Sequence, residues 1–441
     1  MLEEERAPAQ HTRLADLLDV DIQVVDAAGV RVSTAVEQQA LQSALPGGSD
    51  VDILQARALG SVHVSDAPLH TGNRVDVLVD GNATYDAMAE AIDAADVSVH
   101  LEIYILANDA VGWRLVERLA RCARRGVEVL LVVDGLGSRS AKRSLFAPLS
   151  AAGVDVRVFH PLDWRSPLRV WRRDHRKLLV VDGRIAFTGG INFSESYASR
   201  RRSRLSPRRA VARGWRDTHV RLQGPGVAGF ERAFAVRWRQ LGGSAPERLP
   251  RLPARDRGSD LVGVLTSSGT DNEPSAIVNA IGRAAGIARR RVWLTQAYFA
   301  PGAQFVEALC RRARAGVDVR LLLPYRSDFY PVQVAARGHY LTLLRAGVRI
   351  FEFQPAVLHA KCVVVDGLWS SIGSCNLDWR SMHFNDELNA VIVSSAVATE
   401  MERVFERDLA QSSEVRLDLW AQRKLPKRAV ERVARWLSPL W

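Results

Sequence analysis

Apolar and polar positions change rhythm several times along the 441-residue chain. In "LVERLARCARRGVEVLLVVDG" (115–135), apolar residues first recur at helical spacing, stop at Gly126, and resume as a β-branched run. That order predicts a helix, a glycine C-terminus and a buried strand. "FVEALCRRARAGVDVRLLLPY" (305–325) repeats it, with Gly316 at the stop. "AAGVDVRVF" (151–159) is likewise answered by "RAGVRIFEF" (345–353). Each half therefore reads strand, helix, strand, helix, strand. Such alternation argues for α/β layers with a central sheet, and the duplication for two halves about a pseudo-two-fold axis.

The same repeat carries the candidate chemistry. "HRKLLVVDGRIAFTGGIN" (175–192) and "HAKCVVVDGLWSSIGSCN" (359–376) share a His, a Lys two later, an Asp five beyond, then Gly and Asn at fixed offsets. Positions two apart on a strand point the same way, so each His and Lys share a face. Asp-Gly between apolar runs is a hairpin signal, because type I′ turns need positive φ. It gives Asp182 and Asp366 a structural place at turns. Gly189, Gly190 and Gly373 mark sites where a missing side chain lets a ligand approach the backbone.

Bringing the halves together puts His175, Lys177, Asn192, His359, Lys361 and Asn376 in one pocket, a constellation suited to a phosphodiester. The lysines would neutralise its oxygens while the asparagines, as phosphate-binding donors, stabilise developing charge. One His would attack phosphorus and the other protonate the leaving oxygen. No metal and no cofactor is required. Asp217 in "GWRDTHVRL" and Glu387 in "FNDELNAVI" stand in equivalent contexts as carboxylates to orient the histidines. A phosphate-binding site without turnover is the bland alternative.

Composition is ordinary for a globular chain, with 47% hydrophobic and 25% charged residues. Cys122, Cys310, Cys362 and Cys375 show no metal or disulfide spacing, which favours reduced thiols. No run has the apolar length of a transmembrane helix, and "MLEEERAPAQ" is no signal peptide, so a soluble or peripheral protein is expected. The net charge of +11 is uneven: residues 1–70 hold eleven acids and four bases, leaving +18 on the remainder. Such a field favours nucleic acid, an anionic membrane or a phosphorylated substrate.

The duplicated H-x-K-x4-D pattern resembles the phospholipase D superfamily over about residues 73–415. Within it, "HLEIYIL", "WRDTHVRLQGP", "QAYFAP" and "GSCNLDWRS" look most like the bacterial cardiolipin synthases. The absence of N-terminal spans and the "LPKR" near the C-terminus resemble the shorter B-type. The resemblance implies two phospholipase D-like lobes, each a mixed, mainly parallel β-sheet flanked by helices, sharing one active site. Its catalytic set would be His175, Lys177, Asp182, His359, Lys361 and Asp366, with Asp217 and Glu387 behind the histidines. It implies phosphatidyl transfer from phosphatidylglycerol to a second phosphatidylglycerol, through a phosphohistidine on His175, at the cytoplasmic face of the bacterial membrane. Hydrolysis to phosphatidic acid, a nuclease of the same superfamily and a non-catalytic lipid-binding module are the rivals. No base-stacking platform stands out, so nucleic acid is not expected as a partner.

The expected organisation is an N-terminal extension (1–72), a first lobe (73–245), a Pro/Arg-rich linker (246–260), a second lobe (261–415) and a basic amphipathic tail (416–441). The tail places Val430, Val433, Leu437 and Leu440 on one helical face, with Lys427, Arg428, Arg432 and Arg435 off it. Trp164 and Trp171, together with seven arginines in 200–213, suit an anionic membrane surface. The oligomeric state is open.

Overall fold

The computed structural model describes residues 22–26, 29–62, 67–141, 143–161, 171–199, 214–244, 258–269 and 275–440. Trp164, most of the linker and the arginine-rich run at 200–213 lie outside these.

The chain opens with β1 (Val24–Val25), α1 (Thr34–Ala44) and α2 (Asp50–Gly60). A capping box starts α2: Ser49 accepts from the Asp52 N–H, and Asp52 accepts from that of Ser49. The first half follows as β2 (Leu69–Val79), α3 (Asp80–Asp93), β3 (Ser98–Ile103), α4 (Ala110–Arg124), β4 (Glu128–Asp134), α5 (Arg143–Ala151) and β5 (Asp155–Phe159). Then come β6 (Lys177–Val181), β7 (Ile185–Gly189), β8 (Thr218–Gln223) and α6 (Val227–Gln240). The second half repeats this order as β9 (Asp260–Ser267), α7 (Ala276–Ile287), β10 (Arg291–Gln296), α8 (Ala303–Arg314), β11 (Asp318–Pro324), α9 (Tyr330–Arg345) and β12 (Arg349–Phe353). It continues as β13 (Lys361–Val365), β14 (Trp369–Gly373), α10 (Trp379–His383), β15 (Glu387–Val393) and α11 (Ser395–Leu409). The chain ends with β16 (Ser412–Glu414), α12 (Leu417–Ala421) and α13 (Leu425–Trp436).

The glycine stops fall where the spacing predicts. Gly126 and Gly316 share a φ of +87°, a left-handed conformation that ends α4 and α8 without a side-chain penalty.

One continuous sheet joins the halves, in the order β16-β12-β11-β10-β13-β14-β15-β9-β2-β8-β7-β6-β3-β4-β5. Apart from β16, the order is palindromic: each strand of one half has its counterpart at the mirrored place in the other. The antiparallel pair β2–β9 forms the seam. Mixed α/β layers are therefore as expected, but mainly parallel pairing is corrected. Within the halves it is confined to β3–β4–β5 and β10–β11–β12. The Asp-Gly hairpins reverse β6 into β7 and β13 into β14, and the other strand pairs of the halves are antiparallel as well.

Three large cores hold the layers. Phe230, Phe234, Trp238, Met401 and Phe405 from α6 and α11 pack between strands of both halves. The outer helices α3, α4 and α5 cover the first half. On the second half, Leu41 and Leu59 of the N-terminal helices join Ile277, Ile281 and Leu309. All four cysteines are buried and unpaired with one another.

Candidate active site

Each catalytic-motif histidine is fixed by backbone before its side chain is considered. The His175 N–H donates to the Asp386 carbonyl at 2.9 Å, and the Asp386 N–H returns a bond of 2.9 Å to Arg173. In the other half, the His359 N–H donates to the Arg216 carbonyl at 2.7 Å, and Arg216 donates to Val357 at 2.9 Å. Asp386 and Arg216 each precede the orienting acid of their half. The crossing therefore sets each histidine beside the carboxylate of the opposite half: His175 Nδ1 lies 2.9 Å from Glu387 Oε2, and His359 Nδ1 lies 2.8 Å from Asp217 Oδ2. With Nδ1 on a carboxylate, Nε2 is the nitrogen left for substrate.

Buried arginines pin these crossings. Arg237 pairs with Asp174 at 3.1 Å and Glu102 at 3.3 Å, and also with Asp386. Arg216 contacts Asp408 through Nε at 2.9 Å and Nη2 at 2.8 Å. Burial opposes the charge of Arg216, yet Asp408 and Asp80 raise its proton affinity above the ordinary value.

The two lysines enter with β6 and β13 and are buried. Lys177 Nζ donates to the His175 carbonyl at 2.6 Å and sits 5.3 Å above the Tyr104 ring. Lys361 Nζ lies 2.9 Å from His359 Nδ1 and 3.2 Å from Nε2. Burial lowers the proton affinity of both amines. Glu387 contacts both His175 of the first motif and Ser374 of the second, and Tyr197 contacts both His359 of the second and Asn192 of the first, so the residues of both motifs meet in one site.

Electrostatically the halves are unequal. Burial and then Lys177 and Lys361 hold His175 well below the usual imidazole range. His359 is lowered too, by burial and Lys361, while Asp217 works to keep its proton. Burial opposes the charge of Asp217, but the hydrogen bond and charge of His359, with Lys361, hold its carboxyl below the ordinary value. Glu387 moves the other way: burial raises it against Lys177 and the donors Ser374, Ser381 and Asn385.

One of the motif glycines is explained by an acid. A side chain at Gly190 would meet Asp217 Oδ1 at 2.2 Å, so its absence admits the acid rather than a ligand. The second half has Ser374 there, and its hydroxyl donates to Glu387.

Asp182 and Asp366 leave the catalytic set. They sit at φ +52° and +57°, followed by Gly183 at +57° and Gly367 at +69°, the conformation of type I′ hairpins. Asp182 accepts from the N–H groups of Asp96, Val97 and Ser98, and Asp366 from those of Arg289, Arg290 and Arg291. The strand β6 separates Asp182 from Lys177 by about 16 Å, too far for shared chemistry.

The two asparagines differ from each other. Asn192 Nδ2 donates to Tyr197 Oη at 2.9 Å, and its Oδ1 accepts from Ile105 at 3.0 Å, so its amide is engaged within the protein. Asn376 Oδ1 is buried without a hydrogen-bond partner among the described residues. Tyr197 is the residue that sequence reasoning missed. Its Oη lies 3.3 Å from His359 Nδ1, and the Trp215 ring lies 5.4 Å from the imidazole. The available signal was an offset: Tyr197 follows Asn192 by as many positions as Ser381 follows Asn376, and Ser381 donates to Glu387 at 2.8 Å.

Comparison with known proteins shows the family. Residues 88–203 and 278–409 match the family described as cardiolipin synthase, PLD-like domain. The chain is 33% identical over 390 residues to cardiolipin synthase 2 of Bacillus anthracis, covering 87% of this chain and 73% of that one. It is 36% identical over 381 residues to cardiolipin synthase A of Pseudomonas aeruginosa (strain LESB58), covering 86% and 76%. Among solved structures, the phosphatidylserine synthase of Haemophilus influenzae Rd KW20 shares the fold, with a TM-score of 0.61 at 13% identity over 85% of this chain and 97% of that one. The matched segments carry the two motifs with His175 and His359, and the chain belongs to the phospholipase D-like family of cardiolipin synthases.

Proposed function

We propose that the protein is a cardiolipin synthase that moves a phosphatidyl group from one phosphatidylglycerol to another through a phosphohistidine on His175. The observation that carries this is the buried pair of imidazoles, each held at Nδ1 by an acid of the opposite half, beside two buried lysines. His175, held neutral by burial and its cationic neighbours, attacks phosphorus through Nε2. The bond from phosphorus to the glycerol oxygen breaks, and His359 gives that oxygen its proton. Asp217, firmly ionised, stabilises the imidazolium before transfer. Lys177 and Lys361 hold the non-bridging oxygens, and Asn376 is the amide free to turn its NH2 toward them.

Glycerol leaves and His359 is then neutral. It takes the proton from a headgroup hydroxyl of the second phosphatidylglycerol, whose oxygen attacks phosphorus and releases His175. The product is cardiolipin, and the site returns to its starting protonation. Because both lipids reside in bilayers, the protein works as a peripheral enzyme at an anionic membrane, on its cytoplasmic face.

Incubating the purified protein with phosphatidylglycerol vesicles tests this reading. Cardiolipin and glycerol in equal amounts are expected. Phosphatidic acid with glycerol would make the protein a hydrolase, and no turnover of any lipid would sink the enzymatic reading.

A further inference from the structure

The C-terminal helix is turned inside out. A surface helix of a globular protein buries its apolar stripe and presents its charges to water. On α13 the buried position is Glu431, whose carboxylate pairs with Arg423 at 2.6 and 2.7 Å. Around it, Arg428 is half-buried, and Arg435 reaches the Gly338 carbonyl of α9 at 3.5 Å. The apolar side chains face outward: Leu425 is 74% exposed, Val430 61%, Val433 54% and Trp436 77%. Helical spacing places these four, with Ala429, on one side of the helix. Exposed Lys424, Lys427 and Arg432 border that side.

The helix is firmly placed. Its inner face packs along α9, and Ala434 meets Val332, Ala335 and Ala300. Its orientation matters for the site. α9 starts just beyond the C-terminal end of β11, which runs parallel to β10, and the last residue of β10, Gln296, pairs with Lys361. Trp436 therefore lies at the catalytic end of the sheet. The turn that follows, Ser438–Leu440, touches α10, whose Ser381 holds Glu387. Arg380 of α10 donates to the carbonyl of Trp171, itself exposed three residues before Asp174.

We propose that the outward face of α13 is a docking surface for an anionic phospholipid bilayer, and that it seats the catalytic end of the sheet against the lipid. The apolar side enters the acyl boundary while the bordering cations meet lipid phosphates, the arrangement of an interfacial helix. Charge complementarity selects this occupant over a neutral surface. The inference rests on reading the substrate as a bilayer phospholipid.

The test uses the full chain and vesicles of phosphatidylglycerol and phosphatidylcholine, 1:1, against phosphatidylcholine alone. Wild-type protein should co-sediment with the mixed vesicles and far less with the neutral ones. The double variant Leu425→Ser, Trp436→Ser should bind the mixed vesicles at least about tenfold more weakly, since two large apolar contacts are lost. Its turnover of phosphatidylglycerol dispersed in detergent should be unchanged, which shows that the site is intact. Undiminished vesicle binding by the double variant overturns the proposal, as does equal wild-type binding to both vesicles. A dimer in analytical ultracentrifugation that the double variant breaks overturns it in favour of a contact between copies. The inactive His175→Ala protein should bind vesicles as wild type does, so failure of the enzymatic reading and failure of the docking surface give different results.

Discussion

His175 Nδ1 stands 2.9 Å from Glu387 Oε2, although the two are 212 positions apart and belong to opposite halves of the sheet. The reciprocal contact, His359 with Asp217, spans 142 positions. Neither half thus contains a complete acid–histidine pair of its own, and the site exists only where both halves meet. The two acids should be separable by the step they serve. Glu387→Gln should slow formation of the phosphatidyl-enzyme by about 100-fold or more, within the range for acid–base groups. Asp217→Asn should act on leaving-group protonation and on the second transfer. Rapid quenching with labelled phosphatidylglycerol reads both steps. If Asp217→Asn alone abolished attack on a donor with a nitrophenol leaving group, the roles of the histidines would be exchanged.

The pH dependence follows from the charges around the imidazoles. In the proposed mechanism the productive form has His175 neutral and His359 protonated, and both free-enzyme values lie below the ordinary 6.5, that of His175 far below. Activity should therefore rise with pH through the His175 value and fall as pH rises through that of His359. A bound phosphodiester adds negative charge, which favours the imidazolium and raises its pKa. The alkaline limb of kcat should accordingly lie at higher pH than that of kcat/KM. Asp217→Asn removes the carboxylate that supports the proton, so it should shift both limbs to lower pH. Coincident limbs for kcat and kcat/KM would count against His359 as the acid.

The motif aspartates should report on stability rather than rate. Asp366 gathers three backbone N–H groups and the Gln55 amide at 2.9 Å, tying α2 to the start of β10. Asp366→Ala removes these acceptors and puts alanine at φ +57°, where a β-carbon is strained. A loss of about 2–4 kcal/mol in urea unfolding is expected. Asp366→Asn tolerates the conformation and should lose less. Turnover per folded molecule should stay within about twofold for both, against the several decades expected for His359→Ala.

Much of this was legible in the chain because repetition supplies a control. Two stretches with the same spacing of His, Lys, Asp, Gly and Asn identify which residues belong to the motif. The Asp-Gly pairs announced their hairpins, and Gly126 and Gly316 their helix ends, because those signals are local backbone chemistry. What stayed hidden depends on the crossing of the halves. Asp217 and Glu387 were visible as equivalent acids, but their local sequence does not say which histidine each one meets. The Asp-Gly reversals likewise carried a consequence for the sheet, antiparallel pairing, that alternation of helices and strands obscured. The outward apolar face of α13 could not be told from a buried one, since periodicity gives a stripe but not its direction.

Tyr197 breaks the symmetry most directly and provides the sharpest test of it. Its hydroxyl accepts from Asn192 at 2.9 Å and stands 3.3 Å from His359 Nδ1, which also contacts Asp217. The rings meet edge-on, with centroids 5.5 Å apart. His175 also has a tyrosine ring edge-on, Tyr104 at 4.9 Å between centroids, but among the described residues no tyrosine hydroxyl reaches its Nδ1; the residue at the matching offset, Ser381, instead supports Glu387. In the proposed mechanism Tyr197 is a positioning residue for the imidazole that donates the proton. Tyr197→Phe keeps the ring contact, removes the hydroxyl, and leaves the buried Asn192 NH2 without that acceptor. One hydrogen bond of this kind contributes about 0.5–1.5 kcal/mol, so kcat should fall about two- to thirteenfold with KM nearly unchanged. The loss should shrink toward unity with a nitrophenol leaving group, which departs without a proton. A merely structural hydroxyl would slow both donors equally, and that result would remove Tyr197 from the proton-transfer step.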